Sequence, residues 1–321
     1  MRLLVIGGTR FVGRHLVEAA LAAGHDVTLV HRSPTKLFPS ARHVLADRNR
    51  DLSGLADGEW DATVDVCAYL PRQVTSLAEA LDGRGGHHVL VSTVSVYGDL
   101  PGPDGDEDSP LVPTAGEEVD EVTDESYGPL KVACERAAAA AYGDRLATVR
   151  PTYVIGPHDP TGRYPWWIRR MVRGGEVLCP GGREDPSQVV DVRDLADFQL
   201  GLATGRIPGV FNAVRPAQPW SELLASTAEI APAGTDLIWV DGSWLREQDV
   251  TGADLPLWSE GVPEWESAMS PARAESAGLR HRPLSETVRD TAAWATDKDL
   301  VEGVGLTVDA EAGLLARWRS R

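Results

Sequence analysis

A chain of 321 residues with 42% hydrophobic content can bury one large core or two smaller ones. Its formal net charge of −17, with no dense Lys/Arg run, argues against nucleic acid and anionic membranes as partners. No apolar run approaches the roughly 20 residues of a membrane span. Leu3–Ile6 runs straight into a glycine turn instead of a secretory leader, so a soluble, cytoplasmic protein is expected.

The first half alternates strands and helices. Leu3–Ile6 is a short apolar strand ended by Gly7-Gly8. Phe11 to Ala23 carries Val12, Leu16, Ala19, Ala20 and Ala23 at helical spacing, and Gly24 stops it. Val27–Val30 is a second strand. Further strands are expected at His43–Leu45, Ala62–Val66 and His88–Val91, with helices at Leu52–Ala56 and Gln73–Leu81. Continuously apolar strands between helices predict a parallel sheet covered on both faces. Right-handed crossovers make it a Rossmann-like, doubly wound α/β fold.

Residues 99–126, rich in Pro, Gly, Asp and Glu, read as a loop, either a solvated excursion or a flap beside a site. A helix over about Glu125–Tyr142 and a strand over Leu146–Val149 follow. Beyond Gly156 the pattern loosens. A Trp-containing helix is expected near 163–173, a strand at Gln188–Val190 and a helix at Val192–Ala203. Then come a strand at Val210–Ala213, a helix at Pro219–Ile230, a strand at Leu237–Val240 and a helix near Leu284–Ala295. The expected division is a dinucleotide-binding domain over 1–156, to which the chain returns at about 187–213. A smaller α/β substrate-binding lobe takes 157–186 and 214–321.

Cys67, Cys134 and Cys179 stand far apart without CxxC spacing and read as small buried hydrophobes, not as a disulfide framework or zinc site. His87-His88 has no visible third ligand, so no metal site is expected.

Gly7-Gly8-Thr9-Arg10-Phe11-Val12-Gly13 follows a strand and opens a helix. Missing side chains let the backbone approach a pyrophosphate, and the helix start offers free N–H groups and a positive dipole end. An acidic residue ending the second strand would bind the ribose 2′-hydroxyl of NAD. His31 and Arg32 stand there instead, and Arg10 sits in the turn. Two guanidinium groups and no carboxylate suit a 2′-phosphate. NADP(H) is the expected cofactor, with NAD(H) the alternative.

Tyr127-Gly128-Pro129-Leu130-Lys131 sets a tyrosine and a lysine on one helix face. A phenol with a pKa of about 10 is a poor base at neutral pH, and a nearby ammonium stabilises its phenolate. Ser92-Thr93-Val94-Ser95-Val96-Tyr97-Gly98 closes a buried strand, where ligands of open α/β sheets sit. Its hydroxyls either hold a substrate oxygen or bond the local backbone.

Together these features resemble an extended short-chain dehydrogenase/reductase of the NAD-dependent epimerase/dehydratase family, over residues 1 to about 295. Arg150-Pro151-Thr152-Tyr153-Val154-Ile155-Gly156-Pro157 is similar to the family's RPxxVxGP segment. Val190-Asp191-Val192-Arg193-Asp194-Leu195-Ala196 resembles VxDLA, Phe211-Asn212-Ala213 its YN strand, and Leu279–Thr291 its closing region. The glycine turn looks like an atypical branch that includes bacterial reductase-like proteins and plant chloroplast RNA-binding relatives.

The resemblance implies Tyr127 as acid/base, Lys131 as its partner and Thr93 as the catalytic hydroxyl. It implies Gly7, Gly8 and Gly13 at the pyrophosphate, Asp47 on the adenine side, and Ala68 and Pro151 among the cofactor contacts. Arg10 replaces a frequent glycine. Val94-Ser95 stands where nucleotide-sugar dehydratases carry an Asp-Glu pair and the related decarboxylases a glutamate, which removes the acid and base of elimination. The absence of an asparagine near Tyr153 weakens a nucleotide-sugar substrate.

On the substrate side, Ser95, Tyr153, His158, Arg163 and Trp166 are candidates: Trp166, with Trp167, as an apolar wall, His158 and Arg163 for an anionic or hydroxylated group. Packing is the plain alternative for each, and for Trp244 and Trp258. The expected function is an NADP(H)-dependent reductase or dehydrogenase of a small carbonyl or alcohol. The alternatives are a sugar or polyol epimerase with tightly held cofactor and a non-catalytic regulator or RNA-binding protein. The expected partners are a small-molecule substrate and, from the resemblance, a second copy in a homodimer.

Overall fold

The short apolar runs of the first half line up as one parallel sheet: helices after the first, fourth and fifth runs carry the chain back over a face, and a loop and a 3₁₀ turn make the other connections. The computed structural model describes residues 1–98, 105–116, 118–258, 268–295 and 301–321. It falls into two compact units. The first comprises Met1–Thr152, Val192–Arg215 and Met269–His281; the second comprises Tyr153–Asp191, Pro216–Ala268 and Arg282–Arg321.

In the first unit, β1 (Arg2–Ile6), β2 (Asp26–His31), β3 (Arg42–Leu45), β4 (Ala62–Asp65), β5 (His87–Val91), β6 (Leu146–Pro151) and β11 (Gly209–Ala213) form the sheet. The order is β11-β6-β5-β4-β1-β2-β3, and Ile6 pairs with Val30 on one side and Asp65 on the other. The strand order therefore reverses at β1. Alternate residues of β1 serve opposite faces. Leu4 and Ile6 pack with Val30 and with Leu77 and Leu81 of α2 (Pro71–Leu81). Val5 and Leu29 crowd Gly8 together with Val17 of α1 (Phe11–Ala22). Burial of each such leucine contributes about 1.5–3 kcal/mol. Helix α3 (Asp124–Tyr142) lies beside α2, and α5 (Val192–Gly205) beside α1. This is the Rossmann-like doubly wound α/β fold.

Local chemistry sets the helix ends. Thr123 caps α3 by accepting the Ser126 N–H, and Gly143 ends it at φ +50°. The Gln73 side chain caps α2 by accepting the Leu70 N–H at 3.2 Å. The helix expected at Leu52–Ala56 is only a 3₁₀ turn over Ser53–Leu55. Asp51 holds the Ser53 N–H at 2.8 Å and Gly54 sits inside it, so no further turn is favoured.

In the second unit, β7 (Tyr153–Ile155) pairs with β10 (Val189–Asp191), and β8 (Glu176–Pro180) with β13 (Asp236–Val240), both in parallel. β9 (Pro186–Ser187) pairs antiparallel with β12 (Gln218–Pro219). Helices α4 (Arg163–Arg173), α6 (Trp220–Ala228), α7 (Gly242–Glu247), α9 (Leu284–Ala295) and α10 (Val308–Arg319) complete it. Its core holds Tyr164, Trp166, Trp167, Trp220 and Trp258. Trp167 meets both Trp166 and Trp220 edge-on. The short strand β7, the strand β8 and the helix α10 had no counterpart in the sequence reading.

The unit boundaries differ from the expected ones. The first unit ends at Thr152 and resumes at Val192, because β7 and β10 pair with each other. It also takes Met269–His281, where Gly105 bridges to Met269 and accepts the Ser270 N–H at 2.7 Å, and α8 (Ala272–Ser276) packs on β11. This contact also fixes part of the loop expected over 99–126. Its residues 99–104 and 117 lie outside the described residues, but Glu107 is buried and is no solvated excursion. No helix among the described residues is long and apolar enough to cross a membrane.

Candidate functional site

The carboxyl ends of the parallel strands collect the candidate residues of the first unit. Gly7 follows β1, Arg32 follows β2, Asp47 lies two residues past β3, and Ala68 lies beyond β4. Thr93 lies just past β5, and Pro151 is the buried last residue of β6. In an open α/β sheet this edge, at the reversal of strand order, is where a ligand sits.

At the glycine turn, Gly7 adopts φ +90° and donates its N–H to Val30. A side chain at Gly13 would meet the Gly7 carbonyl at 2.5 Å, so the first turn of α1 closes tightly on the loop. Arg10 is the N-cap with no side-chain capping bond, and the first turn of α1 holds no acidic residue. The helix start therefore keeps its N–H groups and dipole end for an anion. Thr9, Phe11 and Val12 are half-buried there, and Phe11 sits at φ +32°, unusual for a residue with a side chain. These features fit a dinucleotide pyrophosphate.

Arg10 and Arg32 are exposed. His31 is buried, its Nδ1 2.8 Å from the Ser33 carbonyl and its Nε2 2.8 Å from Nδ1 of His43. Asp47 accepts from the Asn49 N–H at 3.0 Å; that bond first, and Arg50 and Arg32 further, hold its carboxyl below the usual range.

The turn after β5 is built around Thr93. Its hydroxyl accepts the Ser95 N–H and donates to the Ser95 hydroxyl, both at 3.1 Å. Thr93 is buried and Ser95 exposed, so the pair hands a hydroxyl from the strand end to solvent. A Cβ at Gly128 would collide with the Ser95 carbonyl. That glycine lets α3 press against the Thr93–Ser95 turn, with half-buried Tyr127 immediately before it.

Lys131 lies one turn further along α3 and is buried. Its ammonium donates to the Ala68 carbonyl and the Val91 carbonyl, each at 2.7 Å, and stands 5.7 Å from the Tyr69 ring centre. One of its three donors is left for a ligand. Burial pushes its pKa below the ordinary lysine value.

The sequence reading missed the polar network behind this turn. Tyr97 donates to the Asn212 side chain at 2.6 Å and accepts from Arg150 at 2.8 Å. Arg150 forks onto Glu135 of α3 at 3.0 and 2.7 Å. Glu107 accepts the Asn212 N–H at 2.8 Å and pairs with Arg273. Burial pushes the Tyr97 phenol up to about 12. A second fork, Arg48 on buried Asp65 at 2.7 Å twice, also bonds the Gln73 carbonyl. Burial opposes that carboxylate, but Arg48 keeps it below its ordinary value. The one available sequence signal was the arginine and asparagine inside the RPxxVxGP-like and YN-like stretches.

The other substrate-side candidates belong to the second unit. The Arg163 guanidinium lies 5.1 Å from the Tyr153 ring centre, and His158, at φ +67°, lies 5.3 Å from the Trp294 ring. Trp166 is buried in the core, its N–H directed at the Leu306 carbonyl at 3.4 Å. Its ring is engaged in packing, and it presents no open wall. Trp258 is buried likewise. His87 and His88 begin and line β5, and His88 stacks on Tyr142 at 3.8 Å.

A family model described as the NAD dependent epimerase/dehydratase family matches residues 3–62 and 70–213. A chloroplast stem-loop binding protein of 41 kDa from Arabidopsis thaliana is 23% identical over 222 residues, covering 63% of this chain and 54% of that protein. The match thus spans about half the length of the chloroplast relative. A dTDP-glucose 4,6-dehydratase from Streptomyces niveus is 27% identical over 251 residues, 66% of this chain and 72% of the relative. Among solved structures, a UDP-glucuronic acid 4-epimerase from Bacillus cereus in complex with NAD superposes with a TM-score of 0.69. It is 16% identical over 92% of this chain and 97% of that one. The human epimerase family protein SDR39U1 with NADPH gives 0.62, at 21% identity over 93% and 100%. These structural likenesses show the fold.

Proposed function

From the premise that the chain belongs to the NAD-dependent epimerase/dehydratase family, and is an enzyme of that nicotinamide-dependent type, we propose that it is an NADP(H)-dependent reductase or dehydrogenase. Its substrate is a small carbonyl or alcohol. The observation that carries this is the composition of the turn after β5. Thr93 and Ser95 form a hydroxyl pair against Gly128, beside Tyr127, with no carboxylate among Val94, Ser95 and Val96. Such a turn positions an oxygen and exchanges a proton, and it lacks the acid and base for losing water.

The roles follow residue by residue. Tyr127 passes the proton to or from the substrate oxygen. Thr93, through Ser95, holds that oxygen. Lys131 stabilises the phenolate and would offer its remaining donor to a cofactor ribose. A bound nicotinamide would supply the hydride acceptor or donor. Gly7, Gly8, Thr9, Phe11, Val12 and Gly13 would hold the pyrophosphate, Asp47 the adenine side, and Ala68 and Pro151 the nicotinamide half. Arg10, His31 and Arg32, with no carboxylate ending β2, favour a 2′-phosphate over a bare ribose. Tyr153, His158 and Arg163 of the second unit are candidates for binding substrate, and the protein works as a cytoplasmic homodimer.

The second reading is a sugar epimerase with tightly held NAD, favoured by the Bacillus cereus likeness. The purified protein separates the two. Net consumption of NADPH in the presence of small aldehydes and ketones is the expected result. Interconversion of UDP-sugar isomers without cofactor consumption would replace this reading with the second. Tight RNA binding at physiological salt, against the net charge of −17, would replace both.

A further inference from the structure

The segment after β4 holds an aromatic side chain in the open beside the proposed reacting pair. Tyr69 keeps 43% of its surface exposed, and no other aromatic ring among the described residues is exposed to that degree. Single exposed apolar residues are ordinary on a protein surface. This one lies at the carboxyl edge of the sheet, where a ligand of an open α/β fold sits.

The backbone on either side of the ring is pinned. The Ala68 carbonyl accepts from the Lys131 ammonium at 2.7 Å, and the Tyr69 N–H donates to the Gln73 side chain at 2.8 Å. Ala68 and Leu70 are buried, so the chain turns only Tyr69 outward here. The Lys131 ammonium stands 5.7 Å from the ring centre, within the range of a cation–π contact. Partial burial pushes the Tyr69 phenol up, and the charge of nearby Tyr127 pushes it further. Tyr69 therefore stays neutral at neutral pH. It leaves proton exchange to Tyr127 and offers a flat, largely apolar surface next to it.

The turn on which Tyr127 stands has apolar neighbours as well. A Cβ at Gly128 would stand 3.7 Å from the Val112 side chain, so Val112 borders this turn of α3. The Val112 N–H donates to the Val96 carbonyl at 2.9 Å, which holds its segment along the turn after β5. Val94 in that turn is half-buried. Lys131, fixed on two carbonyls, is the only charged residue of 66–70, 92–97, 110–115 and 126–131. An anionic group close to the reacting carbon would gain little from these segments. A neutral ring would cover Tyr69 and remove apolar surface from water.

We propose that Tyr69 is a specificity-determining wall of the reaction site, and that the substrate carries a neutral planar ring next to its reacting carbonyl carbon. The inference rests on the proposed reductase reading and deepens it by naming the substrate class, an aryl aldehyde or ketone or the matching alcohol. The substrate ring packs against Tyr69 while its oxygen meets Tyr127 and the Ser95 hydroxyl.

The test compares benzaldehyde with glyceraldehyde at saturating NADPH, followed by cofactor absorbance. Tyr69→Ala should lower the benzaldehyde-to-glyceraldehyde ratio of kcat/KM about tenfold, carried by KM, as expected for one aromatic contact and its buried area. Tyr69→Phe should keep the ratio. An equal loss on both aldehydes, or a loss carried by kcat alone, would overturn the wall and leave Tyr69 as a support for Lys131. A weaker NADPH affinity in Tyr69→Ala with an unaltered ratio would give the ring to the cofactor and overturn it too. Benzyl alcohol binding, titrated by NMR in the presence of NADP⁺ or of NAD⁺, needs no turnover. Binding that weakens in Tyr69→Ala supports the wall even where no aldehyde is reduced, an outcome that defeats the reductase reading alone. Equal binding in both proteins, or none, overturns the wall.

Discussion

The two units bury charge by the same device and to different ends. In the second, Glu311 of α10 receives Arg170 and Arg173 of α4 and the Leu178 N–H at 3.0 Å, which ties the last helix to α4 and β8. In the first unit the Arg150–Glu135 fork joins β6 to α3 one turn beyond Lys131, and Arg48–Asp65 closes the end of β4. Here a buried ion pair lies beside the groups proposed to react; in the second unit it ties a helix to its neighbours. The same chemistry should therefore give different phenotypes when cut.

The largest effect tests the first unit at its reacting group. Tyr127→Phe should lower turnover by about 10²–10⁴-fold, the range of a positioned acid/base, with the cofactor dissociation constant unchanged. Full turnover in that variant, measured by cofactor absorbance, would remove the proton-transfer role.

Cutting the ion pairs comes next. Glu135→Gln and Glu311→Gln each strand buried guanidinium charge and should cost about 3–5 kcal/mol in denaturant unfolding. Below its melting range, Glu135→Gln should also lower kcat at unchanged cofactor affinity, by letting α3 shift against the Thr93 turn. Glu311→Gln should leave kcat alone. Equal loss of kcat in both, at matched folded fraction, would erase the distinction between the units.

The legible part of this fold is its local part. The glycine turn between β1 and α1 and the Tyr127–Lys131 spacing are contained in windows of a few residues, and the hydrophobic periods around them are unbroken. Tyr97 and Asn212 are 115 positions apart, and Glu107 and Asn212 are 105 apart, so no window holds both partners. The return of Met269–His281 to the first unit was hidden for the same reason, since its anchor is Gly105. His31 was legible as the residue ending β2, but its engagement with His43 depends on strand pairing. Trp166 was open between a cleft wall and packing because an aromatic pair next to a motif fits both, and amphipathic α4 buries it.

A buried histidine in the first unit sharpens the comparison through pH. His88 has both ring nitrogens buried without a hydrogen-bond partner among the described residues, and burial lowers its pKa to about 4. An unfolded histidine binds its proton near 6.5. Between these values the unfolded state holds more protons, so stability is present above about 6.5 and falls as pH drops toward 4. The group accounts for a loss of up to about 3 kcal/mol over that window. His88→Phe keeps the stack on Tyr142 and removes the titration. Its denaturant midpoint should fall less than that of the unmodified protein between pH 7 and pH 4.5, and an identical fall would show that His88 is not the group responsible.

The smallest effect falls on the second unit's core. Trp166→Phe loses the N–H to the Leu306 carbonyl and part of the edge contact with Trp167. It should cost about 1–2 kcal/mol of stability, within the ordinary range for a core substitution, and leave KM unchanged. The opposite pattern, a raised KM with an unaltered melting temperature, would mean that the ring faces substrate and that the second unit, too, holds its buried groups for the reaction.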